Sequence, residues 1–341
     1  MKHLVTGGSG FLGSLIARRL CETGEKVRVL DIWEDPGRPR ETEFIKCDIR
    51  DREGVRSAMQ GMEVVHHAAA LVPLARSKNL WAVNVIGSQI AAKEAVRAGA
   101  QAFIHVSSSA VYGIPQQVPI TSRTPCSPVE AYGRAKLAGE RAVQRICGDA
   151  KLPLILIRPR TLLGKGRLGI FQLFFDWIRR GRPIYLIGNG NNPFQFLQAE
   201  DLIGAYMAAY EKNRPGIYNL GTDRFGTVRE ALEKLIQYAR SKSRITALPV
   251  EPSIALLKIL DLLHLSPLAP WHYLTSHKPF YFDSEAFEHL RWKPKYSNDE
   301  MLAESYDWFC ANRSRSQYEG IESVHRRPLD PKFLKTFKSF P

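Results

Sequence analysis

Between an apolar run at residues 1–5 and a segment of helical spacing at 11–20 stands Thr6-Gly7-Gly8-Ser9-Gly10-Phe11-Leu12-Gly13. Few folds require glycine at three such positions. A strand that turns sharply into a helix needs residues without a Cβ at the turn, and the helix start then offers its N–H groups to an anion. Gly7, Gly10, Phe11, Leu12 and Gly13 are therefore the residues expected to meet a pyrophosphate. The next strand, 26–32, carries Asp31, eighteen residues after Gly13. A carboxylate at that place reaches the hydroxyls of an adenosine ribose. It repels a 2′-phosphate, so NAD is the expected cofactor rather than its phosphorylated form.

Further short β-rich runs lie at 44–48, 64–67, 102–106 and 153–157, with helical patterns at 84–98 and 132–146. Strands alternating with helices predict an α/β fold, a Rossmann-type doubly wound parallel sheet. After Arg158 glycines, prolines and aromatics increase. The organisation expected is a NAD-binding domain over 1–160 and a smaller substrate-binding lobe over 161–309, interleaved with the last elements of the sheet. A basic tail covers 310–341. The third strand ends at Asp48-Ile49, where a carboxylate can accept from the adenine amino group.

Tyr132-Gly133-Arg134-Ala135-Lys136 sets a phenol and an ammonium four residues apart on one helix face. A free tyrosine, with a pKa of about 10, is a weak base at neutral pH. A neighbouring lysine cation favours the phenolate, as does the positive ring of bound NAD⁺. Val106-Ser107-Ser108-Ser109-Ala110-Val111-Tyr112-Gly113 ends another strand in three hydroxyls, at the sheet edge where such folds bind ligands.

These motifs resemble the extended short-chain dehydrogenase/reductase family, the NAD-dependent epimerase/dehydratase group, over residues 1–309. The resemblance also rests on His67-Ala68-Ala69, Asn84-Val85-Ile86-Gly87 and Arg158-Pro159. It implies Ser108 as the catalytic serine, Tyr132 as the base and Lys136 as the ribose-binding lysine. Ala68 and Ala69 would line the nicotinamide side, and Asn84 would support the geometry. It further implies a homodimer built on the helices at 84–98 and 132–146.

Family members that remove water from sugars carry an Asp-Glu pair where this chain has Ser109-Ala110. What remains is hydride transfer with one proton: oxidation, reduction, or epimerisation through a ketone. The leading expectation is an epimerase of a nucleotide-activated sugar, with Tyr132 deprotonating a hydroxyl that Ser108 holds, and hydride returning on the opposite face. Ser108, Ser109, Arg160, Lys165 and Arg167 are the candidate substrate contacts. Gln195 joins them as the residue standing where an arginine on the pyrophosphate is expected. The alternative is a 3β-hydroxysteroid-dehydrogenase-like enzyme for a sterol or other lipophilic alcohol; a third is a non-catalytic NAD-binding scaffold. The apolar stretch at 254–268 reads either as lobe core or as a lipophilic site.

The chain carries 48 Lys+Arg against 34 Asp+Glu, a net charge of +14. Such a balance suits nucleic acid, an anionic membrane or an anionic small substrate. No nucleic-acid module is present, so a small-molecule substrate is expected. The tail, with Phe333, Phe337 and Phe340 among lysines, suits at most weak membrane contact. Five scattered cysteines provide neither a disulfide framework nor a zinc site. With no leader-like start and no spanning segment, a cytoplasmic protein without metal is the expectation.

Overall fold

A seven-stranded parallel sheet runs through the centre of the computed structural model, which describes residues 1–72, 79–263, 266, 268 and 270–312. Its strands are β1 (Lys2–Thr6), β2 (Lys26–Asp31), β3 (Glu43–Lys46), β4 (Val64–His67), β5 (Ala102–Val106), β6 (Leu154–Pro159) and β10 (Gly216–Leu220). They lie in the order β10-β6-β5-β4-β1-β2-β3, so the direction of winding reverses between β1 and β4. In doubly wound sheets ligands bind outside the carboxyl ends of the strands at that reversal.

Successive residues feed opposite faces, as a pleated strand demands. Val5, Val29, Val64 and Ile104 pack on α1 (Phe11–Glu22) and α6 (Ala199–Glu211). Their neighbours Leu4, Leu30, Val65 and Phe103 pack on α2 (Arg52–Met59), α3 (Ser88–Arg97) and α4 (Ala131–Asp149). Helices on both faces explain why these strands are almost continuously apolar. The exceptions are histidines, and the sheet interior satisfies most of them. His3 Nδ1 meets His66 Nε2 at 2.9 Å, and His66 Nδ1 meets the Tyr206 hydroxyl at 2.7 Å. His67 bonds Thr6 and Ser88. Burial drives the His67 pKa down to about 3, so it is a neutral packing group.

Beyond β6 the chain builds a second body and then rejoins the first. Small parallel sheets form from β7 (Thr161–Leu163) with β9 (Phe196–Gln198), and from β8 (Ile184–Ile187) with β11 (Ile245–Leu248). They pack with α5 (Phe171–Arg179), α7 (Val228–Tyr238) and α11 (Asn298–Ala311) around Phe175, Ile184, Leu232 and Leu302. Between them α6 and β10 return to the main sheet. The tail expected over 310–341 begins inside α11, and residues 313–341 lie outside the described residues.

Over 254–262 the apolar stretch is not lobe core, and residues 264, 265 and 267 lie outside the described residues. Helix α8 (Val250–Leu262) has no buried residue, and Leu256, Ile259 and Leu262 are exposed. Its apolar side chains run all round the helix instead of along one stripe, so no single contact covers them. Among the described residues no helix is long and apolar enough to cross a membrane.

At the carboxyl edge a buried ion pair joins the layers. Arg158 on β6 donates from Nε to Glu140 Oε2 on α4 at 3.1 Å, with a second bond from Nη2. Ser107 donates to the same carboxylate at 2.7 Å, and Arg158 Nη1 reaches the Tyr112 hydroxyl at 2.6 Å. Removing one member strands the other charge in the interior. Glu140→Leu is expected to cost roughly 3–5 kcal/mol of folding stability, read from urea denaturation midpoints against the wild type.

Candidate active site

Gly7 takes a φ of 69°, and a Cβ there would lie 2.6 Å from the Ala69 backbone. The turn after β1 thus rests directly on Ala68-Ala69 at the end of β4, inside the crevice. A Cβ on Gly13 would lie 2.1 Å from the Gly7 carbonyl oxygen, so α1 begins pressed against the turn. Side chains cap α2, α4, α6, α7 and α11, from Asp51, Glu130, Gln198, Thr227 and Ser297. Helix α1 alone among these six begins at a glycine, with no side-chain cap and no acid in its first turn. Its N–H groups at Phe11, Leu12 and Gly13 are left for an external anion. The turn and helix therefore fit a dinucleotide diphosphate.

Asp31 ends β2, beside the glycine turn. Its carboxylate accepts from Ser9 N at 3.0 Å and Ile32 N at 2.7 Å, tying the end of β2 to the glycine turn. Burial pushes its pKa up against those bonds. Asp48 has a different tie, accepting from Arg50 Nε at 2.9 Å and Nη2 at 2.6 Å, while Ile49 is buried against Gly87.

The catalytic candidates converge from two elements. Ser108 follows β5 and opens a single turn of 3₁₀-helix, Ser109–Tyr112. Tyr132 stands in the first turn of α4, fixed by the Glu130 carboxylate, which accepts from the Tyr132 and Gly133 amides at 2.6 Å each. A Cβ on Gly133 would lie 2.6 Å from the Ala110 carbonyl, so the helix lies flat against the serine turn. That approach brings the Ser108 side chain up to the Tyr132 phenol, whose pKa it lowers.

Burial pushes the Tyr132 pKa up; Ser108 and the charge of Arg167 pull it down. Arg167 is thus a cation that favours the phenolate in addition to the Lys136 of the helix pattern. Lys136 is buried, donating from Nζ to the Val106 carbonyl at 2.7 Å, and burial lowers its pKa to about 8. It stands at the end of β5, one helical turn from Tyr132, a position that fits a ribose.

The remaining candidates divide. Arg167 stacks over Phe11 of the glycine turn at 5.7 Å and acts on Tyr132, bridging cofactor and catalytic sides. Arg160 is buried and donates from Nη1 to Ser109 Oγ at 3.3 Å. Lys165 is not brought in; it is exposed and pairs with Glu304 at 2.9 Å. Gln195 is spent internally, its Nε2 on the Thr222 carbonyl at 2.6 Å and its Oε1 on the Phe282 amide at 3.0 Å. Asn84 bonds both the amide and the carbonyl of Leu71 at 2.9 Å, holding the chain that follows β4. Glu130 escaped sequence reasoning, although an acid two residues before Tyr132 is a helix-capping signal. Among the described residues no group of three His, Cys, Asp or Glu is placed to hold a metal.

Residues 3–221 match the model of the NAD dependent epimerase/dehydratase family. The chain is 42% identical over 333 residues to the uncharacterised protein y4nG of Sinorhizobium fredii, covering 97% of this chain and 84% of that one. It is 28% identical to the UDP-glucose 4-epimerase of Streptomyces lividans, covering 91% of this chain and 97% of the relative. In structure it is similar to the UDP-glucose 4-epimerase of Thermotoga maritima solved with UDP-glucose. The TM-score there is 0.75 at 22% identity, over 92% of this chain and all of the other.

The Gly13 contact provides a direct test. Gly13→Ala is expected to abolish dinucleotide binding, measured by fluorescence titration with NADH, while circular dichroism still reports a folded α/β protein.

Proposed function

The chain belongs to the NAD dependent epimerase/dehydratase family, and from that premise we propose that it epimerises a secondary alcohol of a nucleotide-activated sugar. The observation that carries this reading is the approach of the Tyr132 end of α4 to the Ser108 turn at the carboxyl edge of β5, Gly133 lying against the Ala110 carbonyl. It sets a hydrogen-bond donor and a proton acceptor where one carbinol oxygen can meet both.

When bound, NAD supplies a two-electron acceptor for hydride. The uncapped start of α1 holds its diphosphate, and Asp31 holds the adenosine ribose. Lys136, fixed on the Val106 carbonyl, directs a further N–H to the nicotinamide ribose. Tyr132 takes the proton of the substrate hydroxyl, with Ser108 on the same oxygen, and returns that proton when the carbonyl is reduced again. The Arg167 charge favours the phenolate at the moment it must act as base. No acid pair stands beside Ser108, so loss of water from the sugar has no proton donor on this turn.

The nucleotide-sugar assignment is supported by the Streptomyces relative, matched over nearly its whole length, and by two cations, the buried Arg160 and the half-buried Arg167. Oxidation of a lipophilic alcohol is favoured by one feature, the exposed apolar α8. A non-catalytic scaffold is set aside, since the chain belongs to a family of enzymes and keeps Tyr132 and Lys136. The deciding experiment incubates the NAD-loaded protein with UDP-glucose, its 4-epimer and a 3β-hydroxysteroid. Sugar interconversion seen by NMR without net NADH supports the proposal; NADH released with the steroid and no sugar conversion overturns it.

Two variants test the machinery. Tyr132→Phe is expected to lower turnover by about 10²–10⁴-fold with NAD binding retained. Arg167→Met removes the charge that favours the phenolate, so the Tyr132 pKa rises. The alkaline climb of turnover with pH then starts at higher pH than in the wild type, as a pH–rate profile will record.

A further inference from the structure

The turn after β7 carries a cation from the substrate lobe to the mouth of α1. Gly164 and Arg167 exchange backbone hydrogen bonds, Gly164 N to the Arg167 carbonyl at 3.3 Å and Arg167 N to the Gly164 carbonyl at 3.0 Å. Gly166 between them takes a φ of 75°, so the chain reverses within two residues. Lys165 leaves this turn toward Glu304, whereas the Arg167 guanidinium lies 5.7 Å from the centre of the Phe11 ring. Phe11 is the first residue of α1, and its N–H is one of the three that no side-chain cap takes up. Arg167 is half-buried there. Burial lowers its pKa and the Tyr132 phenol opposes that shift, which places its charge within electrostatic reach of the phenol as well.

A dinucleotide diphosphate carries two negative charges, and the start of a helix offers the equivalent of about half a positive one. Neither the glycine turn, residues 6–10, nor the first turn of α1 contains a lysine or arginine. That segment supplies hydrogen bonds but not the balancing charge. Lys136 is held at the end of β5 by the Val106 carbonyl, and Lys165 is paired with Glu304. We propose that Arg167 is an anchor for the cofactor diphosphate, laid over the start of α1 from the substrate lobe, so that bound cofactor pins this lobe to the glycine turn. Arginine suits the task because its planar group can stack on an aromatic ring with one face while its N–H edge binds phosphate oxygens. The Phe11 ring is then a platform that holds the guanidinium in place before the anion arrives. Nothing in this role depends on which alcohol is converted.

Calorimetric titrations with NADH, ADP and adenosine test the contact on nucleotide-free wild type, Arg167→Met, Arg167→Lys and Phe11→Leu. Arg167→Met is expected to weaken NADH and ADP by about 10–100-fold, the loss of one charge-assisted contact, and to leave adenosine unchanged. Arg167→Lys keeps a charge without the planar fork and should retain part of the affinity. Phe11→Leu should weaken NADH in the wild-type background and add nothing to Arg167→Met, since the ring acts through the guanidinium. Melting temperature establishes that each variant is folded, and Arg167→Lys with Phe11→Leu makes the same comparison should Arg167→Met fail to fold. Wild-type affinity for NADH and ADP in a folded Arg167→Met overturns the anchor and leaves this arginine to the phenol alone. Equal loss of all three ligands overturns it too, because an arginine that merely supports the fold acts on the whole site. Binding is read here without sugar or turnover. Failure of the anchor therefore leaves the proposed epimerisation standing, and failure of the epimerisation leaves the anchor standing.

Discussion

The carboxylate of Glu140 joins parts of the chain that must not move relative to one another. It sits one helical turn beyond Lys136 on α4 and takes hydrogen bonds from Ser107 at the end of β5 and from Arg158 on β6. Through Arg158 it also fixes the Tyr112 hydroxyl, which in turn donates to Asn219 on β10. One buried anion therefore ties α4 to three adjacent strand ends. Tyr132 and Lys136 ride on that helix, and Ser108 follows the serine that the anion holds. The separation between phenol and serine is thus set from beneath, by an ion pair that touches neither. Such a pair is a poor source of net stability but a demanding one geometrically, since either partner alone is a charge without solvent.

Electrostatics at the strand ends run in one direction. Lys136, Arg160 and Arg167 are each pulled by burial toward their neutral forms. Around them His67 and His105 are kept neutral, partly because a second positive charge beside Lys136 is unfavourable. An edge that holds cations while suppressing further protonation is poised for an anionic ligand. In the proposed reaction a cofactor diphosphate would meet the uncapped backbone N–H groups of α1 and the Arg167 guanidinium, and Arg160 would serve the substrate side.

How much of this was legible in the sequence follows from how far apart the cooperating residues lie. The glycine turn and Asp31 act within one strand–helix–strand unit, and Tyr132 and Lys136 within one helical turn, so spacing alone displayed them. Six of the seven strands were legible for the same reason, because each packs on neighbours through a local period; β10 was not, since it returns to the sheet from within the segment read as the substrate lobe. Arg160 was named from its residue type, but its environment was not readable. Its partners Ser109, Phe194, Gln195 and Phe280 come from three separate segments, and only the fold brings them together. Lys165 and Arg167, two residues apart, illustrate the limit: one turns outward to Glu304 and the other inward over Phe11. Gln195 fails for a related reason. A glutamine reads as a possible ligand contact in a sequence, yet here both ends of its amide bridge loops.

The role given to Lys136 shows the same limit inside the Tyr132–Lys136 pattern. Spacing placed an ammonium and a phenol on one helix face, and from that alone the lysine is the natural source of the charge that favours the phenolate. The Val106 carbonyl holds the lysine at the end of β5, and Arg167, arriving from the loop after β7, is a further cation that lowers the phenol's pKa. Spacing on a helix fixes where two side chains start, but their far ends are set by what each can bond to. In a chain with many cations a residue from another segment can share the electrostatic part of a motif. The motif's own lysine can then also position the cofactor. Chemistry at such a site is conferred by the charge that reaches the reacting atom, and sequence proximity is only one way of bringing it there.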